Sequence, residues 1–203
     1  MYTVFLAGGT GSGKSTVARL LEERGCVRID LDALSREVLV AGSPVTMAIA
    51  EAFGADLVDP ETQELNRAAL AARAFATPQD TARLEEIELP AIRQLLEERL
   101  AALEARGDVQ VCVVEIPLLD RMQDGLSRAD EVLVVSCPLA PRRERAIARG
   151  MSGEDFDARI AKQPSDEWLS SHADTVLAND GTADELRDKV EAWWLRNEGR
   201  GWQ

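Results

Sequence analysis

The sequence predicts an α/β fold, a doubly wound parallel sheet of about five strands covered by helices. Three observations lead to it. Short apolar runs rich in β-branched residues alternate with longer helical stretches along the chain, the rhythm of a parallel sheet whose crossovers are helices. A glycine-rich turn joins the first run to the first helix, the position at which such sheets carry their ligand crevice. The chain has 203 residues, 45% of them hydrophobic and 29% charged, which suits one domain with modest insertions rather than several.

Taken in order, Thr3–Ala7 is the first strand, and the turn after it leads into a helix that begins near Gly13. Val27–Asp30 is the second strand, followed by a helix over Ala33–Val40. A long strand-free segment comes next, with helical periodicity at Pro44–Phe53, Arg67–Phe75 and Gln79–Arg106. A structureless connection of that length is uncommon inside a domain, so the segment reads as a helical insertion. Val109–Ile116, Glu131–Ser136 and Asp174–Ala178 complete the sheet, and a second helical excursion, Ala140–Gln163, interrupts it before the last strand. The expected organisation is a core over 1–35, an insertion over 36–107, core again over 108–139, a lid over 140–165, and core with a C-terminal helix over 166–203. The tail RNEGRGWQ, residues 196–203, is expected to fray.

Charge narrows the partners. With 23 Lys and Arg against 36 Asp and Glu, the net charge is −13, so the surface repels phosphate backbones and anionic headgroups, and neither nucleic acid nor a membrane is an expected partner. A small phosphorylated ligand remains compatible, because a local positive pocket focuses the field even in an acidic protein. Cys26, Cys112 and Cys137 are far apart, without a CxxC pair. They make neither a disulfide framework nor a zinc site, and they point to a reducing, cytoplasmic compartment. No stretch is long enough to span a bilayer, and the N-terminus lacks a basic leader. Oligomeric state is not legible.

The strongest local signal is Gly8-Gly9-Thr10-Gly11-Ser12-Gly13-Lys14-Ser15, which fits G-x-x-x-x-G-K-[ST] between a strand and a helix. Glycines let backbone N–H groups converge on phosphates, Lys14 brings a cation to the β/γ oxygens, and Ser15 offers an oxygen to Mg²⁺. The helix that follows aims its positive dipole end at the same anion. The fold is therefore expected to be of the P-loop NTPase type, with a nucleoside triphosphate as its ligand.

Further residues stand where strand ends face that crevice. The second strand runs into Asp30-Leu31-Asp32, and two readings are open for Asp32: the N-cap of the next helix, or the group that takes or orients a hydroxyl proton for in-line attack. Arg36, a turn later, shares its face and can meet a phosphate. Glu115 interrupts an apolar strand and either approaches Mg²⁺ through water or pairs with a surface cation. Arg142, Arg145 and Arg149 fall at i, i+3 and i+7, a basic stripe that is either a solvated helix face or a lid over the triphosphate. Asn179-Asp180-Gly181 after the last strand is a turn-forming triplet, read either as an ordinary turn or as a frame for adenine. His172 is the single histidine and reads as structural.

In order along the chain, GGTGSGKST, IDLDALSREVL, GSPVTMAIAEAFG, LNRAALAARAF, LEEIELPAI, VVEIPLLD, ARGMS, RIAKQ and HADTVLANDG resemble the motifs of the dephospho-CoA kinase family. The resemblance covers nearly the whole chain. It implies a P-loop kinase that transfers a phosphoryl group from ATP, with Mg²⁺, to the ribose 3′-hydroxyl of dephospho-CoA in coenzyme A biosynthesis. Catalysis is implied for Asp32, as base, Lys14 and Arg145. ATP binding is implied for the loop Gly8–Thr16 (Gly8, Gly9, Thr10, Gly11, Ser12, Gly13, Lys14, Ser15, Thr16) and for Arg149, Asn179 and Gly181. Acceptor binding is implied for Asp32, Arg36, Arg67 and Gln163, and metal binding for Ser15 and Glu115. Three departures sit on or near the acceptor side: Asn66 where the family reads LDR, Leu89 where it reads HP, and Arg121 where it reads PLLxE. A P-loop kinase of another small nucleoside- or nucleotide-like acceptor and a non-catalytic ATP-binding regulator are the alternatives, and an acceptor screen with Mg-ATP separates them.

Losing a histidine at position 89 removes one polar contact, which weakens acceptor binding without touching the transfer step. Leu89→His is therefore expected to lower KM for dephospho-CoA by about tenfold with kcat nearly unchanged. Steady-state kinetics check this; a change in kcat with KM constant would count against it.

Overall fold

A computed structural model of the chain describes residues 1–199 and 202. It packs as two compact units, Met1–Asp30 with Leu103–Gln203, and Leu31–Ala102.

The first unit is built on five parallel strands: β1 (Tyr2–Ala7), β2 (Val27–Asp30), β3 (Val111–Glu115), β4 (Glu131–Ser136) and β5 (Thr175–Ala178). Their spatial order is β2-β3-β1-β4-β5. Chain connections leave β1 toward one edge and β3 toward the other, so the crevice at the carboxyl ends of these two neighbours is the topological switch point of the sheet. In register, Leu6 of β1 stands beside Glu115 of β3, and Asp30 of β2 stands beside Glu115 on its other side.

Because strand side chains alternate, one face of the sheet carries Val4, Leu6, Val111, Val113, Leu133 and Val135. These pack with Val17, Leu20 and Leu21 of α1 (Lys14–Glu22) and Leu186, Val190, Trp193 and Trp194 of the C-terminal helix Ala183–Glu198. Phe5, Val114, Val132 and Val134 point the other way and are buried as well, as expected of a parallel sheet covered on both sides. Cys26, Cys112 and Cys137 are free and buried, and burial pushes the Cys26 and Cys112 thiols up to about 12.

The excursion expected over Ala140–Gln163 is two helices, separated at Gly150, whose φ of 91° is left-handed. A short helix, Asp166–Ser171, precedes β5. The C-terminal helix opens on a capping box, Thr182 with Glu185.

Residues 196–203, expected to fray, are held in place where they are described. The C-terminal helix runs through Glu198, Asn197 is buried and donates to the Trp193 carbonyl (3.1 Å), and the Trp202 ring lies 5.0 Å from those of Tyr2 and Trp194. Burying an indole outweighs the polar character of the tail. Residues 200, 201 and 203 lie outside the described residues.

The second unit is helical: α2 (Leu31–Val38), α3 (Pro44–Phe53), α4 (Arg67–Ala74) and α5 (Pro78–Arg106), the last running on into the first unit. Its core is Leu39, Ile49, Leu57, Leu70, Ala74 and Leu84. Ser43 caps α3 by accepting from the Thr46 N–H, with Pro44 at the first helical position. Asn66 caps α4 by accepting from the Ala69 N–H (3.0 Å). Asn and Asp cap equally well, so this departure from the family motif leaves the helix start intact. Pro90 lies inside α5 without ending it. No helix among the described residues is long and apolar enough to cross a membrane.

At the amino end of β4, buried Glu131 accepts from Trp193 Nε1 (2.7 Å) and from the Tyr2 hydroxyl (3.0 Å). Burial, then the Glu131 charge, pushes the Tyr2 phenol up to about 12. Glu131→Ala leaves these donors without their acceptor and should cost about 1–3 kcal/mol of stability in urea denaturation. A change within the scatter of a surface substitution would show that water takes over.

Candidate functional site

The phosphate loop spans Gly8–Ser15 between β1 and α1. Two of its glycines are required by shape. Gly11 and Gly13 have φ of 78° and 103°, the left-handed region. A side chain at Gly11 would collide with the Arg142 carbonyl, and one at Gly13 with the Asn179 amide. The loop closes on itself through Ser12 N–H to the Gly9 carbonyl (3.0 Å), and the first turn of α1 through Val17 N–H to the Gly13 carbonyl (3.1 Å).

Lys14 and Ser15 leave the loop toward β3. Ser15 Oγ donates to Glu115 Oε1 (2.8 Å), and Lys14 Nζ donates to the Ile116 carbonyl (3.3 Å) while lying 3.9 Å from Glu115 Oε1. Glu115 is buried, and its Oε2 accepts from Arg28, which also pairs with Glu22 at 3.6 Å. Of the two readings of Glu115, the structure shows the pairing with a cation, and the same carboxylate also accepts from the Ser15 hydroxyl. Arg28 escaped the sequence reading; a charge within a half-buried strand was the available signal.

The arginine stripe divides on α6 (Leu139–Ala148). Arg142 is 3% exposed, whereas Arg149 just beyond the helix is exposed. Arg142 Nε donates to the Thr10 carbonyl (2.9 Å) and its Nη1 to Asp166 Oδ1 (2.8 Å). Arg145 Nη1 donates to Cys137 Sγ (3.2 Å), and Arg149 Nε donates to the Arg145 carbonyl (3.1 Å). Helical spacing of three and four residues would put the three on one face; only packing against the loop buried the first.

Gln163, just past α7 (Gly153–Ile160), bonds Thr10 twice: its Oε1 accepts from the Thr10 N–H (2.8 Å) and its Nε2 donates to Thr10 Oγ1 (3.0 Å). Grouped by resemblance with the acceptor residues, Gln163 is thus placed on the phosphate loop. Asn179 is buried, with Nδ2 donating to the Ser12 carbonyl (2.6 Å) and its N–H to the Ser136 carbonyl (2.7 Å). Its side chain braces the loop, and exposed Gly181 follows it in the turn. His172 stacks on Trp168 (3.9 Å) outside this constellation.

Asp32, Arg36 and Arg67 belong to the helical unit, and all three are exposed. The helix α2 starts at Leu31, two residues earlier than expected, so Asp32 stands in its first turn instead of ahead of it. A carboxylate there is favoured by the helix dipole. Arg67 Nη2 donates to the Arg36 carbonyl (3.3 Å), which links the two acceptor-side arginines. On α5, one residue before Leu89, burial pushes the Glu88 carboxyl up to about 7 against the pull of Arg67.

That shift carries a pH dependence. In the unfolded chain a glutamate releases its proton near pH 4.3, whereas folded Glu88 keeps it to about 7. Between those values the folded state holds the extra proton, so this contribution to stability is complete below about pH 4.3 and is lost as pH rises through about 7. Relative to Glu88→Gln, the wild type should lose stability across that window. Denaturant midpoints of both proteins test this, and a constant difference would refute it.

The family model for dephospho-CoA kinase matches residues 2–185. The dephospho-CoA kinase of Corynebacterium diphtheriae is 41% identical over 198 residues, covering 97% of each chain. That of Deinococcus radiodurans is 45% identical over 189 residues, covering 92% of this chain and 88% of its own. Among solved structures, a Thermus thermophilus protein superposes with a TM-score of 0.79 at 33% identity, covering 96% of this chain and 97% of its own.

Proposed function

The chain belongs to the dephospho-CoA kinase family, and we propose that Asp32, Lys14 and Arg145 carry out its transfer. It is a kinase that moves the γ-phosphoryl group of ATP to the 3′-hydroxyl of dephospho-CoA, giving CoA and ADP, the final step of coenzyme A biosynthesis. The observation that best supports the catalytic reading is the loop Gly8–Ser15 with Ser15 Oγ on buried Glu115 at 2.8 Å.

In this reading the backbone N–H groups of the loop and the dipole of α1 hold the β- and γ-phosphates, with Lys14 neutralising charge as it builds on the transferring group. Asp32, exposed two residues beyond β2, takes the proton of the acceptor hydroxyl as its oxygen attacks phosphorus in line with the departing ADP oxygen. Arg36 and Arg67 hold the acceptor's diphosphate. Arg145 and Arg149 stabilise the transferring phosphoryl group.

A divalent cation fits the donor set. Ser15 and Glu115 present a hydroxyl and a carboxylate, hard oxygen ligands of the kind Mg²⁺ takes while completing its shell with phosphate oxygens and water. Bound there, Mg²⁺ would supply charge neutralisation between the β- and γ-phosphates. Among the described residues no three His, Cys, Asp or Glu side chains cluster as metal ligands, so such an ion would depend on the nucleotide for much of its coordination. The free cysteines are in keeping with the reducing cytoplasm as the setting.

Asp32→Asn is expected to lower kcat by about 10²–10⁴ with ATP affinity little changed. Near-normal kcat would return Asp32 to a helix-start role. The same assay, run with saturating dephospho-CoA and with other alcohols, tests the acceptor. Product from another alcohol alone would overturn the acceptor, and tight ATP binding with no product from any would favour a regulator.

A further inference from the structure

We infer that Arg142 is a positioning residue that aims the Thr10–Gly11 peptide of the phosphate loop at the triphosphate, an inference that rests on the loop's reading as the ATP site. The starting point is peptide geometry. In a trans peptide the carbonyl oxygen and the N–H point to opposite sides, and no peptide among the described residues is cis. Arg142 Nε holds the Thr10 carbonyl at 2.9 Å, so the Gly11 N–H in the same peptide is turned away from α6. A loop that cradles phosphate needs its N–H groups turned in this way.

The preceding peptide has the opposite sense. The Gly9 carbonyl accepts from the Ser12 N–H (3.0 Å), and the Thr10 N–H goes to Gln163 (2.8 Å). Thr10 is therefore held through its N–H, its carbonyl and its hydroxyl by two side chains from the segment 142–163. A lysine would replace Arg142 only in part. One planar fork with fixed donors reaches both Thr10 and Asp166, which a single ammonium does not span in the same way.

Fit and charge point the same way. A side chain at Gly9 would collide with the Arg142 guanidinium, and one at Gly11 with its backbone carbonyl, so the loop is shaped around this residue. The Arg142 side chain is 4% exposed, whereas its counter-ion Asp166 is 54% exposed. Water screens the carboxylate more than the guanidinium, so the pair leaves positive potential behind the loop.

Isothermal titration of ATP, ADP and AMP to wild type, Arg142→Met and Arg142→Lys tests the inference. Arg142→Met should weaken ATP and ADP by about 10- to 100-fold, leave AMP within about twofold, and leave KM for dephospho-CoA unchanged; these limits follow because only the β- and γ-phosphates use the aimed peptide. Arg142→Lys should recover part of the loss, and it serves if the methionine variant does not fold. Arg143→Met, whose exposed guanidinium pairs with Asp157 at 3.5 Å, should behave as wild type. Wild-type ATP affinity in either folded Arg142 variant, or an equal loss for AMP, would overturn the positioning role. A wild-type protein that binds no ATP would instead sink the nucleotide reading beneath it.

Discussion

A loop that binds phosphate through its backbone must aim some of its N–H groups at the ligand, and the loop's buried carbonyls, turned elsewhere, then need donors. This constraint organises the first unit. The Gly9 carbonyl is answered within the loop by Ser12, the Thr10 carbonyl by Arg142, and the Ser12 carbonyl by Asn179. The last two donors come from α6 and from just beyond β5, remote in sequence from residues 8–15. An unanswered buried carbonyl would cost about 1–3 kcal/mol, comparable with the binding contributed by one phosphate contact.

The charge distribution follows the same logic. A protein of net charge −13 has no general attraction for anions, so cations must be concentrated where the ligand lies. Lys14, Arg142, Arg145 and Arg149 belong to the unit that carries the loop. Arg36 and Arg67 are joined in the helical unit. Glu115 moderates the first group: it takes Arg28 and lies near Lys14, and it is the carboxylate that the Ser15 hydroxyl addresses.

Many positions of the candidate site could be singled out from the sequence, and those positions have a common character. The phosphate loop, the base candidate Asp32 and Arg36 stand at fixed offsets from strand ends and helix starts, so local spacing is enough to single them out, whereas only the family resemblance singles out Arg67. Arg142, Arg28 and Glu88 were read less well. Arg142 differs from Arg145 by three residues on one helix, and only full burial against the loop sets the strut apart from its half-buried neighbour. Glu88 depends on how α5 packs, which no local pattern near Leu89 reveals. The tail 196–203 misled for the converse reason, since its polar residues conceal one indole that docks on Tyr2 and Trp194.

The amino-acid sequence by itself determined the class of fold, the five strands, the helical insertion and the phosphate loop. Each of these is written in short-range signals: short apolar runs rich in β-branched residues, helical periodicity, and glycines at fixed offsets from Lys14 and Ser15. It also determined that Asn66 could stand for an aspartate, because capping is decided by a side-chain oxygen one turn from its partner. Tertiary structure alone decided the strand order β2-β3-β1-β4-β5, the burial of one arginine of three, and the placement of Gln163 on Thr10 across 153 residues of chain. The physical reason is range: local dihedral preference and periodicity act over a turn or a strand, whereas a hydrogen bond between distant residues exists only after the hydrophobic core has brought their elements together.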